Sequence, residues 1–337
     1  MPSSFRALRL GLVVLLILLG TALSAGWAMH HAKRHSMQTD AERAAQQLGL
    51  YANSLHTLIE RYRALPAVLA LDPELIAALA GPVEPAVQHA LNIKLERING
   101  AADSSTLELL DHTGLAVAAS NWSLPSTYVG SNYGFRPYFK QTRSQGSGRF
   151  YAVGVTSGIP GYFLSSAVKD LQGRFLGAMV VKLEFPELER EWRQGSDVLL
   201  VSDARGIIFI ANQDGWRYRE LSPLSGADRA ELAATRQYDK QPLLALQHQA
   251  LTRFDDHSQL SRVQGPDGPV EYLWQSLPLP SEGWTLHLLR KPQVSEDVRN
   301  AGLAAAAIWL SLVFAILFVS QRLRLARLRQ RSREALK

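Results

Sequence analysis

Two uncharged apolar runs constrain this chain more than any other feature. Leu10–Met29 (LGLVVLLILLGTALSAGWAM) and Ala301–Gln321 (AGLAAAAIWLSLVFAILFVSQ) contain no Asp, Glu, Lys or Arg. A helix needs about 20 residues to cross about 30 Å of hydrocarbon, so each run has the length of a membrane span. A cleaved secretory signal is the rival reading of the first run, because Arg6 and Arg9 form a basic start and Ala22-Leu23-Ser24-Ala25 offers small residues for cleavage. Against it, the apolar part of a signal covers about 7 to 15 residues, whereas this run is longer and continues into helical sequence.

Basic residues flank the runs on their outer sides. Arg6 and Arg9 precede the first, and Arg322, Arg324, Arg327, Arg329, Arg331, Arg333 and Lys337 follow the second. That asymmetry predicts both termini in the cytoplasm and the 30–299 segment on the far side of the cytoplasmic membrane. The net charge of +6 therefore says little about the intervening chain, where 27 Lys and Arg face 29 Asp and Glu. A nucleic-acid partner loses its support, since the excess arginines are explained by topology and anionic lipid heads. With no cysteine, disulfides, thiolate metal sites and cysteine catalysis are excluded. No P-loop, Gly-x-Ser-x-Gly or His-Glu-x-x-His pattern occurs, so no cofactor and no catalytic residue is expected. His31 and His35 stand four apart, a spacing better explained by a solvated helix face than by a metal.

Between the runs, residues 36–65 lack proline and place Leu48, Tyr51, Leu55, Leu58 and Tyr62 on one helical face. Shorter helices are expected over 67–80 and 87–98, broken by Pro73, Pro82 and Pro85. Strand patterns then begin, and one occurs twice: LELLDHTGLAVAASN from Leu107 and VLLVSDARGIIFIAN from Val198. In each, an apolar strand meets Asp-x-x-Gly and a second strand returns to an asparagine, Asn121 or Asn212, which reads as a duplicated β-hairpin. Further hairpins are expected at Asp170–Gly173 and Pro266–Gly268, with a last strand over Trp284–Arg290. The fold class is α+β: a long helix, then two tandem PAS-like antiparallel sheet units, bracketed by two transmembrane helices. The expected bounds are an N-terminus at 1–9, spans at 10–29 and 301–321, the long helix at 30–69, a membrane-distal unit at 70–190, a membrane-proximal unit at 191–295 and the start of a signalling helix at 322–337.

Polar and aromatic residues are densest in the first unit, in SNW from Ser120, VGSNYGFRPYF from Val129 and GRFYAVGVTSGIPGYF from Gly148. Gly154, Gly158, Pro160 and Gly161 suggest a tight turn exposing backbone N–H groups, and Thr156 and Ser157 add hydroxyls; these are donors for oxygen anions. Arg136 offers a planar fork for a carboxylate and Lys182 a second positive charge. By two-residue periodicity Lys182 shares the inward face with Val180. The plainer reading pairs Arg136 with a nearby Asp and leaves Lys182 solvated at a strand end.

These runs, with GAMVVKLEFPELEREW from Gly177, resemble the sensory domain of C4-dicarboxylate sensor kinases of the DctB type, over roughly residues 30 to 320. The resemblance implies a double Cache fold and a periplasmic site for succinate, fumarate or malate. It implies ligand contacts from Tyr133, Arg136, Thr156, Ser157 and Lys182, with Tyr138 and Tyr162 as pocket walls. It also implies a homodimer in the inner membrane, and a response regulator reached only through a cytoplasmic histidine kinase. None of that kinase machinery is present between Gln321 and Lys337, so a longer parent protein is expected, with Leu325, Leu328 and Ala335 near a heptad seam. The alternative is a Cache input module of a chemoreceptor or cyclic-nucleotide enzyme that senses another small acid or an amino acid.

Overall fold

The computed structural model describes residues 3–265, 268–292 and 296–334. Its first helix, α1 (Ser3–Arg63), runs unbroken through the first apolar run and beyond it. The face it buries is Leu48, Ala52, Leu55, Ile59 and Tyr62. Tyr51 and Leu58, expected at its centre, lie half-buried on its flank. The stripe turns this way because Ala52, too small to weigh in a hydrophobic pattern, lets the helix sit close.

Pro82 lies in the break between two helices, as expected, but the other prolines here start helices. Pro66, Pro73 and Pro85 occupy the first turn of α2 (Leu65–Leu69), α3 (Pro73–Leu79) and α4 (Pro85–Ala102), where a missing N–H has no intrahelical acceptor to lose. Asp72 caps α3 by accepting from the Glu74 amide at 2.9 Å.

The first sheet comprises β1 (Thr106–Asp111), β2 (Ala116–Ala119), β3 (Ser147–Val153), β4 (Pro160–Lys169) and β5 (Phe175–Leu183), in the antiparallel order β2-β1-β5-β4-β3. Helix α5 (Pro137–Gln145) covers one face. After α6 (Pro186–Trp192), the second sheet draws on β6 (Val198–Ser202) and β7 (Ile208–Ala211), a short parallel pair β8 (Arg219–Glu220) and β9 (Leu244–Ala245) standing apart from it. Helix α7 (Gly226–Thr235) leads on to β10 (His248–Arg253), β11 (Ser258–Gly265), β12 (Gly268–Leu279) and β13 (Trp284–Arg290), and the order is β10-β11-β12-β13-β6-β7. The expected turn between β11 and β12 falls on Pro266 and Asp267, outside the described residues. Helices α5, α6 and α7 were not legible as helices in the sequence. Two of them open on a proline, Pro137 and Pro186, and all three are 7 to 10 residues long, too short for a helical period to stand out.

The duplicated hairpin holds at atomic detail. Asp111 Oδ1 accepts from the amides of Thr113 and Leu115 at 2.8 and 3.0 Å. Asp203 Oδ1 accepts from Arg205 and Ile207 at 3.0 and 2.9 Å. Both hairpins carry a bulge at the same place, between Leu109 and Leu110 and between Val201 and Ser202. The structural match to Asn212 is Ser120 rather than Asn121. The Ser120 hydroxyl accepts from the Leu107 amide at 2.9 Å, as the Asn212 side chain does from Leu199 at 2.9 Å.

By contact density the chain forms two compact units. Both sheets lie in the one built from 45–270 and 274–290; the other holds the helical residues up to Ala44 and from Lys291, with 271–273. In the helical unit, α8 (Glu296–Glu334) contains the second apolar run. Both α1 and α8 are long and apolar enough to cross a membrane. The Trp309 indole lies over Gly20, where a Cβ would stand 2.3 Å from the ring, and its N–H donates to the Ile17 carbonyl at 3.3 Å.

The two hairpin turns differ in what surrounds their glycines. Gly114 (φ +92°) has Gly134 N 2.4 Å from where a Cβ would be, while Gly206 (φ +76°) has nothing nearer than Leu221 Cβ at 3.4 Å. Gly206→Ala is therefore expected to cost about 1 kcal/mol and Gly114→Ala about 3 kcal/mol, since only the latter adds a backbone clash to the left-handed strain. Thermal unfolding of the two variants checks the order.

Candidate ligand-binding site

Directly opposed residues of neighbouring strands share a face, so the strand registers define the floor of a site. Glu108 lies opposite Val180, Thr106 opposite Lys182, and Lys182 opposite Phe163. Glu108, Val180, Lys182, Phe163 and Ser165 thus line one face of the first sheet. Over that face close Tyr128, Tyr133, Tyr138 and Phe139, in one buried cluster with Val180 and Phe163.

Lys182 points inward, as the periodicity requires, and is fully buried; it is not solvated at a strand end. Its Nζ donates to Glu184 Oε1 at 2.6 Å, Tyr128 OH at 3.2 Å and Ser157 Oγ at 3.4 Å. Its stem needs Gly161, where a Cβ would stand 2.6 Å from Lys182 Cε. Tyr128 donates to Ser157 Oγ at 3.1 Å, and Tyr133 OH shares a 2.7 Å hydrogen bond with Thr156 Oγ1. Tyr128 and Tyr133 meet edge to face at 6.0 Å. The structure therefore joins Tyr133, Thr156, Ser157 and Lys182 in one hydroxyl-rich patch around a buried ammonium, and Thr156 lies at its exposed rim.

The glycine turn is tight and also makes room for side chains. Gly158 takes the left-handed conformation (φ +70°), whereas Gly154 and Gly161 give space to Ser157 and Lys182. Three of its amides are used inside the turn: Gly154 N on the Ile159 carbonyl, Gly158 N on the Gly154 carbonyl and Ile159 N on Ser157 Oγ. Donors for an anion here are the hydroxyls and the ammonium, and the amides of Val155, Thr156 and Ser157 take no part in the bonds that close the turn.

Arg136, at the N-cap of α5, is buried and pairs with no Asp. Its Nη1 donates to the carbonyls of Thr235 and Arg236 at 3.1 and 3.0 Å, and its Nη2 to that of Val153 at 2.7 Å. It brackets the end of β3 to the end of α7, and burial lowers its pKa. Tyr138 stacks on Phe163 at 5.1 Å and forms a wall. Tyr162 does not join the patch. As the neighbour of Phe163 on β4 it faces the other way, its hydroxyl on Glu282 and its ring 4.7 Å from Trp284. A groove of about 610 Å³ runs past Tyr162, Arg149 and Glu282, and one of about 830 Å³ passes His112, Arg143 and Arg174; neither is lined by Lys182 or Tyr133.

Three residues of the site escaped the sequence reading: Tyr128, Glu184 and Glu108. Glu184 follows Lys182 by two, one residue past the end of β5, and that spacing was the signal for it. Glu108 is the least expected, a buried carboxyl whose two oxygens have no hydrogen-bond partner. Burial pushes its pKa up to about 7 against the pull of Lys182 and Arg136. Burial, and next the Glu108 charge, raise the phenols of Tyr128, Tyr133 and Tyr138. The signal for Glu108 lay in the duplication. The second hairpin has Leu200 where the first has Glu108, and Leu289 where the first sheet has Lys182. Both leucines are buried, so the second sheet puts hydrocarbon where the first keeps a carboxyl and an ammonium, although His287, opposite Leu200, is a buried polar group bonded to Ser202, Trp274 and Ser276.

A long helix followed by two such sheet units, of which the first buries a carboxyl and an ammonium, defines a double Cache sensory module. Among curated proteins, the C4-dicarboxylate transport sensor protein DctB of Rhizobium meliloti (strain 1021) is 32% identical over 303 residues, covering 89% of this chain and 48% of that protein. DctB of Pseudomonas aeruginosa is 32% identical over 307 residues, 90% of this chain and 46% of that protein. The solved sensor domain of the V. cholerae histidine kinase DctB superimposes with a TM-score of 0.69 at 25% identity, over 76% of this chain and 98% of that domain. The periplasmic domain of RsbU from Chlamydia trachomatis shares the fold at a TM-score of 0.56 and 15% identity, over 80% of this chain and 96% of that domain. No protein-family model matches the chain. The chain belongs to the DctB type of sensor protein as its sensory region, and it spans about half the length of the curated relatives it matches.

A carboxyl whose pKa is raised on folding stabilises the fold below its unfolded pKa, and that stability is lost as pH rises through the folded value. Without added ligand, stability is therefore expected to fall from about pH 4.5 to beyond pH 7, by about 3 kcal/mol in all. Glu108→Leu, which copies Leu200, is expected to flatten that profile in urea titrations from pH 5 to pH 8.5.

Proposed function

We propose that this chain is the sensory and membrane-spanning part of a two-component sensor kinase that binds C4-dicarboxylates such as succinate, fumarate and malate outside the cytoplasmic membrane. The observation that carries the reading is Lys182: a fully buried ammonium among the hydroxyls of Tyr128, Tyr133, Thr156 and Ser157, at a position that the second sheet fills with Leu289. A buried cation is costly unless paired, and it gains most from a partner of full opposite charge. Glu184 is that partner here, 22% exposed and just past the end of β5. A ligand carboxylate takes over the role of Glu184, with Ser157 and Tyr128 as further donors to it. The second carboxylate reaches toward Tyr133, Thr156 and the positive field of Arg136, and Tyr138 walls the site.

Arg136 also gives the site a route outward. It holds the Val153 carbonyl, at the base of the 154–160 turn, to the carbonyls of Thr235 and Arg236 beyond the second hairpin. A ligand that moves the turn biases that bracket, and the two arrangements differ in affinity for it. The two apolar helices cross the membrane, and a histidine kinase acting on a response regulator receives the signal. The family membership and the helices α1 and α8 support this placement.

Calorimetric titration of succinate into the full chain in lipid nanodiscs tests the reading. Lys182→Met is expected to weaken binding by about 100-fold or more, since it removes the buried ammonium that bonds to Tyr128 and Ser157. Thr156→Ala loses about tenfold, one hydrogen bond to a charged group. No heat from succinate, fumarate or malate with the unaltered chain overturns the proposal. Glu184→Gln separates partner from competitor: it is expected to destabilise the free protein by about 3 kcal/mol and to enlarge the thermal stabilisation that succinate gives.

A further inference from the structure

The carboxyl of Glu108 has no part in the family resemblance, and the fold does not need it. Its counterpart Leu200 occupies the same register of the same bulged hairpin, equally buried, against the same neighbouring strand position. Buried polar atoms are nearly always paired, yet both Glu108 oxygens stand unpartnered inside the cluster formed over the first sheet. The groups that face it are known from each element packed against it. From β5 comes Lys182, whose ammonium is taken by Glu184, Tyr128 and Ser157. The covering loop supplies Tyr128 and Tyr133, and the start of α5 supplies Arg136 and Tyr138. Arg136 in turn feels Arg236 and Asp239. On β2 the opposed residue is Ala119, which does not titrate.

We infer that Glu108 is a ligand contact that works as a neutral acid: its O–H donates to a carboxylate of the bound dicarboxylate, so that binding takes up one proton. This rests on the reading of the site as a dicarboxylate site. Once a ligand carboxylate has displaced Glu184 from Lys182, the two ligand carboxylates bring as many negative charges as Lys182 and Arg136 can answer, and an ionised Glu108 would add a third in a buried place. Protonated, the same oxygen becomes a donor aimed at an acceptor. The proton comes from solvent: ionised Glu108, one proton and the dianion go in, and the neutral acid with its bound dianion results. Burial that raises the acid to about pH 7 leaves the proton within easy reach near neutrality. The arrangement also selects, because a neutral acid rewards a carboxylate and gives an amino acid's ammonium no counter-charge.

The test is titration of fumarate, a strong enough acid to carry no proton of its own near neutrality, into the full chain in nanodiscs. At pH 8, measurements in two buffers of different ionisation enthalpy are expected to show uptake of about one proton per ligand, fading toward zero near pH 5.5. Affinity is expected to fall about tenfold per pH unit above about pH 7. Glu108→Gln, which keeps a donor without a titrating proton, is expected to bind with a flat profile and no uptake, and Glu108→Leu to bind more weakly than Glu108→Gln at pH 6. Binding without proton uptake at pH 8, an unchanged pH slope in Glu108→Gln, or equal binding by Glu108→Leu and Glu108→Gln overturns the inference and leaves the dicarboxylate site standing. Absence of any dicarboxylate binding overturns both.

Discussion

An ammonium shut inside a sheet unit must be answered by acceptors, and much of the first unit is arranged around that requirement. Lys182 sits on the central strand of five, where no water reaches it. Gly161 is glycine so that the lysine stem can pass, and Ser157 turns inward to meet the ammonium at the price of its own exposure. Glu184 supplies the full negative charge without which a buried cation would be strongly destabilising. Remove the ammonium and the turn, the hydroxyls and the carboxylate have no common purpose. That is why the second unit, which lacks it, closes the same place with Leu289.

The two sheets are one hairpin plan put to different ends, and the differences mark where function was added. Turn, bulge and closing hydrogen bond agree between β1–β2 and β6–β7. Leu200 and Leu289 stand where Glu108 and Lys182 stand, and beside them the second sheet buries His287, on neutral partners, rather than a carboxyl and an ammonium. The sheet-bearing unit is further held by Glu282. It takes the Arg63 guanidinium of α1 at 2.5 Å and the Tyr162 hydroxyl of β4, while Arg149 of β3 lies 3.8 Å away. With Arg136 bracketing Val153 to Thr235 and Arg236, the first sheet is tied to the rest of its unit on both of its faces.

The local rules that act over a few residues were legible. Length and lack of charge marked the apolar runs, Asp-x-x-Gly marked the two hairpins, and alternation along GAMVVKLEF placed Lys182 inward beside Val180. Less legible were α5, α6 and α7, since prolines at their starts read as breaks and none is long enough to show a period. For the site, Tyr133, Thr156, Ser157 and Lys182 were named from residue chemistry and the resemblance, and the fold brings them together. Tyr162 is placed apart by the same alternation that places Lys182, because neighbours on a strand face opposite ways.

By itself the sequence determined the kind of protein: two candidate spans, a long helix, a duplicated hairpin and a cluster of hydroxyls and cations, all carried by patterns within single segments. Tertiary structure decided who answers whom. Arg136 meets backbone carbonyls about a hundred residues away, Glu282 gathers three elements, and Glu108 is left without a partner among aromatic side chains. Such choices depend on which faces are pressed together across distant parts of the chain and on how much water is squeezed out between them. No pattern along the chain records either quantity.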